Sequence, residues 1–227
     1  MLYGSRAGMP CLYCTGITIA ETACHYYLNE METVQRTKID LKKESRVIFP
    51  AGQLDTVYEH CRRKLSENYL ANESRERKAF GLIAGYQSDL DLTVVQCLPL
   101  MKNARQAEPY KKFMDRVMVQ HAVPSETPFS KRGWVADPEE LMKKTKALHK
   151  KNLLLFGIYH MHRVAWPDDP LRDTPTTLDT VLGDNSKMLI FIISLVKSEK
   201  PRIRAFYEGK PDREIPIVVK DIANKSC

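Results

Sequence analysis

Leu153-Leu154-Leu155-Phe156-Gly157-Ile158-Tyr159-His160-Met161-His162 is the stretch that decides how this chain folds. An apolar run of this length behind Asn152 reads as a buried strand. Alternation along a strand puts His160 and His162 on one face and Met161 on the other, so two imidazoles can converge on one cation. Asp173 follows His162 after ten further residues. A carboxylate returning from the next loop would complete a three-ligand set with a fourth position left for water, the arrangement of a catalytic zinc rather than a closed structural one. A lone histidine on an apolar segment is more often a satisfied core residue. The pair, the buried strand before it and the acid after it together carry the metal reading.

Upstream, Val47 to Pro50 reads as a short strand. Leu54, Val57, Tyr58, Cys61, Leu65 and Tyr69 then follow at helical spacing over residues 53–70. Residues 79–86 read as a buried strand in which Gly81 and Gly85 allow close backbone approach. Residues 92–100 make its hairpin partner across Ser88 and Asp89. An insertion at about 102–135, amphipathic near 110–121 and rich in Pro, Ser and Thr near 124–128, is expected to lie over the functional face. Asp137 caps a helix with Pro138 in its first turn, running to about Lys151, and Asn152 stops it.

Downstream, a short helix is expected from Leu178. Strands follow at 187–196, 202–207 and 214–219. Strands and helices mix without regular alternation, which predicts an α/β (α+β) chain built on a curved mixed sheet flanked by helices.

Composition sets the outer bounds. The 227 residues are 43% hydrophobic and 28% charged, those of an ordinary globular protein. The longest apolar stretch, Met188 to Val196, is nine residues and too short to span a membrane. The net charge of +7 is spread over helical and loop segments such as Lys111-Lys112 and Lys143-Lys144, so no nucleic-acid footprint is expected. The six cysteines show no disulfide framework and no secretory signal is evident, which places the chain in a reducing cytoplasm. Cys11 and Cys14 form a CxxC followed by Cys24 and His25, but adjacent Cys24 and His25 rarely ligate one ion.

One domain is expected over 46–220. Before it come an irregular extension at 1–30, for which a true start at Met31 is an equally good account, and a polar lead-in at 31–45. A tail at 221–227 follows.

The order of these elements, with GLIAG at 81–85, ADPEEL at 136–141 and FGIYHMH at 156–162 before Asp173, resembles the JAMM (MPN-plus) metallopeptidase family over residues 47–219. The resemblance implies an MPN-like, cytidine-deaminase-like architecture. It implies a zinc-dependent hydrolase of peptide or isopeptide bonds, with one Zn2+ per chain held by His160, His162 and Asp173. The substrate it implies is a protein or peptide tail, ubiquitin-like or sulfur-carrier proteins being the family's examples.

Two positions depart from that family's pattern. Its catalytic glutamate falls at Lys78, leaving Glu76 as the proton carrier if the strand extends backwards, with Glu73 as the substitute. Its oxyanion-stabilising serine falls at Pro170, which has neither a hydroxyl nor an N–H, so Thr174 or a loop N–H would have to replace it. Asp168 and Asp169 are candidates to hydrogen-bond a ligating histidine. Trp166 and Pro167 are expected to pack the loop. These departures keep a second reading open, a non-catalytic MPN scaffold or binding module that retains metal.

Overall fold

The computed structural model describes residues 39–163, 168–197 and 199–221. The chain runs β1 (Arg46–Pro50), α1 (Ala51–Leu65), β2 (Phe80–Ser88), β3 (Asp91–Pro99), α2 (Tyr110–His121), α3 (Pro138–Lys150), β4 (Leu154–His162), α4 (Thr177–Gly183), β5 (Leu189–Ser194), β6 (Arg202–Tyr207), β7 (Glu214–Ile215) and β8 (Ile217–Lys220). Two 3-10 turns, Phe129–Lys131 and Pro170–Arg172, lie in the connections. The extension at 1–30, the CxxC of Cys11 and Cys14, most of the lead-in, Trp166, Pro167 and all but the first residue of the tail lie outside the described residues.

All eight strands join one mixed sheet in the order β7-β6-β5-β4-β2-β3-β1-β8. β4 runs antiparallel to β2 and parallel to β5. β5 is buried along its whole length, as expected of a strand covered on both faces. The final strand was expected to be continuous over 214–219, but Pro216, which has no N–H to give a ladder, divides it. Its two halves pair at opposite ends of the strand order, β7 with β6 and β8 with β1. One residue separates them, so the sheet curls until its edges meet.

Helix α1 packs on one face. Leu54, Val57, Tyr58 and Cys61 meet Ile83, Phe156, Tyr159, Met161 and Phe191 there. The helix stops five residues short of the expected 70. The chain turns instead through Glu67 at φ 60 and Asn72 at φ 64, and Leu70 is left exposed, so the apolar stripe does not continue.

The other face takes α3, whose Leu141 and Leu148 pack with Phe80, Leu82 and Leu153. Asp137 caps α3 by accepting from Glu140 N at 2.9 Å, with Pro138 at the first position. Asn152 follows its end at φ 55.

The insertion folds over this second face. Its base is closed by a bridge between Asn103 and Ala136. Buried Arg105 holds its interior, pairing with Asp115 and donating to the carbonyls of Phe129 and Arg132. Phe113, Met114, Val117 and Met118 of α2 pack with Leu178 and Leu182 of α4. Helix α4 is thereby pressed towards the end of β4.

Candidate metal centre

His160 and His162 occupy alternate positions at the end of β4, opposite Phe80 of β2 and beside Ile192 and Ser194 of β5. Met161 and Tyr159 turn to the α1 core, so the expected alternation holds. The two Nε2 atoms lie 3.0 Å apart.

The carboxylate that meets them is Asp179, in the first turn of α4. Its Oδ1 is 3.1 Å from His160 Nε2 and its Oδ2 is 3.4 Å from His162 Nε2. A tetrahedral zinc with bonds of about 2.0–2.1 Å has ligand-to-ligand edges of roughly 3.3–3.4 Å. His160, His162 and Asp179 each offer one ligand atom, all within 4.8 Å of one another, so the triad could hold a metal ion.

Local sequence explains the placement. Thr176 and Asp179 form a capping box: Thr176 N and Oγ1 each donate to Asp179 Oδ2 at 2.7 Å, which aims the carboxylate back past the helix start. Thr180 Oγ1 donates to the carbonyl of Gly209 at 2.6 Å, fixing α4 against the β6–β7 turn. Gly209, at φ 64, lies so close to the Asp179 carbonyl that a side chain there would collide with it.

His162 Nδ1 donates to the carbonyl of Leu171 at 2.7 Å, so in the neutral ring Nε2 carries no proton and its lone pair faces the triad. Asp169 Oδ1 in turn accepts from Leu171 N at 2.8 Å. His160 Nδ1 is buried without a partner among the described residues. The indole of Trp134 stands 5.9 Å from the His160 ring, and it is stacked on Phe80 at 4.5 Å.

Charge suits a cation. Burial alone would raise the Asp179 carboxyl, but the charges and hydrogen bonds of the two histidines outweigh it and hold the group well below its usual range. Burial opposes a charged His162, and the hydrogen bond and charge of Asp179 overcome it and raise its pKa.

Several expected residues lie elsewhere. Asp173 is not brought to the two histidines; it faces three arginines, with Arg202 Nε at 2.9 Å, Arg204 Nη1 at 3.4 Å and Arg172 Nε at 3.5 Å. Its position behind the Pro170–Arg172 turn directs it to the β6 edge. Glu76 sits in a bend instead of a strand extended backwards, and it pairs with Lys78 Nζ at 2.5 Å and accepts from Asn103 Nδ2 at 3.1 Å.

Glu73 is buried on the α1 side against Arg63, His60 and Lys64. Thr174 Oγ1 donates to the Pro170 carbonyl at 2.6 Å and is not aimed at the triad. Asp168 is exposed. Asp169 supports His162 through the Leu171 backbone rather than directly. Asp179 and Trp134 escaped the sequence reading. The Thr176-x-x-Asp179 spacing of a capping box was the available signal for the first.

No family model matches the chain, and no curated protein does. Among solved structures, one from Desulfitobacterium hafniense is similar at 21% identity with a TM-score of 0.52, covering 78% of this chain and 95% of that one. A second, from Salinibacter ruber, is similar at 16% identity with a TM-score of 0.41, covering 79% of this chain and 94% of that one. The first likeness supports the mixed α+β fold alone. No helix among the described residues is long and apolar enough to cross a membrane.

Proposed function

We propose that this chain is a zinc-dependent hydrolase of peptide-type amide bonds with an MPN-like architecture, its metal held by His160, His162 and Asp179. The observation that carries this reading is the convergence of two imidazole nitrogens, 3.0 Å apart, and one carboxylate at the end of a strand, with Asp179 Oδ1 3.1 Å from His160 and its Oδ2 3.4 Å from His162. Zinc, when bound there, lowers the pKa of a water molecule towards neutrality and polarises a carbonyl. The Leu171 carbonyl fixes the His162 tautomer and Asp169 fixes Leu171. Trp134 stands against the His160 ring at 5.9 Å.

Proton transfer to the departing nitrogen falls to Glu76. It lines a cleft next to Lys78 and Arg163, immediately beyond His162, and Asn103 and Lys78 hold its carboxylate. The substrate is a peptide or protein tail, which reaches the centre extended along that cleft.

Hydrolysis of a panel of fluorogenic peptides and ubiquitin-like fusions tests this. Wild type is expected to cleave with zinc and to stop on chelation, and Glu76→Gln to lose activity while its zinc stays bound. Activity indifferent to Glu76→Gln would remove that assignment. A second reading, a metal-retaining scaffold without chemistry, is favoured by the engagement of Glu76 with Lys78 and by Pro170, whose position offers no donor. It predicts bound zinc and no cleavage of any substrate in the panel.

A further inference from the structure

The cleft lined by Arg163, the residue after His162, is strongly cationic. It has a volume of about 420 Å³ and is lined by Arg75, Arg77, Lys78, Lys131 and Arg163 against Glu67 and Glu76. Both acids are already committed, Glu67 to Arg77 and Glu76 to Lys78. Arg75, Lys131 and Arg163 are exposed and make no ion pair among the described residues. Three uncompensated cations therefore converge on one small concavity from three separate segments of chain. Like charges gathered in a concavity repel one another and focus a positive potential into it.

Chain neighbours of the triad strands line the cleft. Phe80 lies opposite His160, and Met161 N donates to the Ala79 carbonyl at 2.9 Å. Lys78 lies two residues before Phe80, and Arg163 is the next residue after His162. A chain whose scissile bond reached the metal would lay the residues beyond it among Lys78, Arg163, Arg75 and Lys131.

Resting on the hydrolase reading above, we infer that the substrate is an acidic peptide, whose carboxylates bind in this cleft within a few residues of the bond that is cut. Exposed carboxylates satisfy Arg and Lys by charge-assisted hydrogen bonds, and guanidinium takes them two atoms at a time. The cleft holds a few side chains and is too small for a duplex. Tyr69 is its single aromatic lining residue, so it lacks the stacking platform of a single-strand nucleic-acid groove.

The test is fluorescence anisotropy with fluorescein-labelled hexaglutamate, hexaglutamine and a six-nucleotide thymidine strand, at roughly 50 mM salt. It compares wild type with the double variant Arg75→Gln and Lys131→Gln. Both substituted side chains are exposed, and circular dichroism confirms that the variant folds. Hexaglutamate is expected to bind at least about tenfold tighter than hexaglutamine, and the double variant to lose about tenfold for hexaglutamate only. Equal affinity for the two peptides, hexaglutamate binding unchanged in the double variant, or a thymidine strand that binds tighter than hexaglutamate and is lost in the double variant would each overturn the inference. The readout needs no turnover. Cleavage of the peptide and fusion panel by the same protein separately decides the hydrolase reading, so the two fail independently.

Discussion

His162 donates from Nδ1 to the carbonyl of Leu171 at 2.7 Å, so the loop that follows β4 returns to fix which ring nitrogen faces Asp179. Asp169 holds that loop by accepting from Leu171 N at 2.8 Å. The chain of contacts runs from a loop carboxylate, through backbone, to the imidazole that faces Asp179. Outer partners of this kind typically tune metal affinity by about 10- to 100-fold.

Replacing Asp169 by Ala removes the anchor on Leu171 and is expected to weaken zinc binding by about tenfold, with the fold retained. Competition titration against a chelating dye measures it. An affinity equal to that of wild type would show that Leu171 keeps its place without Asp169.

Acid is expected to destabilise the fold through the buried cluster under α1. Burial, the largest influence, lowers His60 from the ordinary 6.5 to about 4. Burial would raise Glu73, but hydrogen bonds from Arg63 and Leu70 N and the charge of Lys64 prevail and take it from 4.5 to about 2. Between pH 6.5 and about 4 the unfolded chain binds a proton at His60 that the folded chain refuses, so stability falls as pH falls through that window. The Glu73 contribution is intact above 4.5 and is lost as pH drops towards about 2. The full shift at each group corresponds to roughly 3 kcal/mol. Urea melts at a series of pH values should show midpoints that decline steadily below pH 6.5, and a flat profile from neutrality into acid would contradict the cluster.

Glu73→Gln tests the same cluster at neutral pH. The change leaves Arg63 and Lys64 without their buried counter-charge, which costs about 3–5 kcal/mol. Tyr159→Phe removes only the hydroxyl 2.8 Å from His60 Nδ1 and should cost about 1–2 kcal/mol. Equilibrium urea unfolding ranks the two, and the reverse order would mean that the ion pairs contribute little.

Trp134→Ala removes the indole that is stacked on Phe80 and stands against the His160 ring. A loss of about 2 kcal/mol is expected in thermal unfolding. Trp134 is one of two tryptophans. Its emission in wild type should therefore change on zinc titration, and a spectrum indifferent to zinc would place the ion away from it.

Alternation along Leu154–His162 is enough to place both histidines on one face, because strand periodicity depends only on neighbours in sequence. The Ser88–Asp89 hairpin, the Asp137 cap and the stop at Asn152 are legible for the same reason. The acid that meets the two histidines is not. Asp173 stands at the family's spacing, yet Arg172, Arg202 and Arg204 capture it, and two of these come from a strand about thirty residues on. Asp179 reaches the site because α2, from the insertion, packs on Leu178 and Leu182, a contact made only by the folded chain. The split of the last strand at Pro216 likewise depends on both sheet edges arriving at one place.

The central claim is the ligand set, and zinc content by inductively coupled plasma mass spectrometry tests it most directly. Wild type, Asp179→Asn and Asp173→Asn would be purified without added metal and then titrated with zinc. Wild type and Asp173→Asn are expected to hold about one zinc per chain and Asp179→Asn essentially none. Wild type that stays metal-free on titration, or zinc kept by Asp179→Asn and lost by Asp173→Asn, would contradict the account.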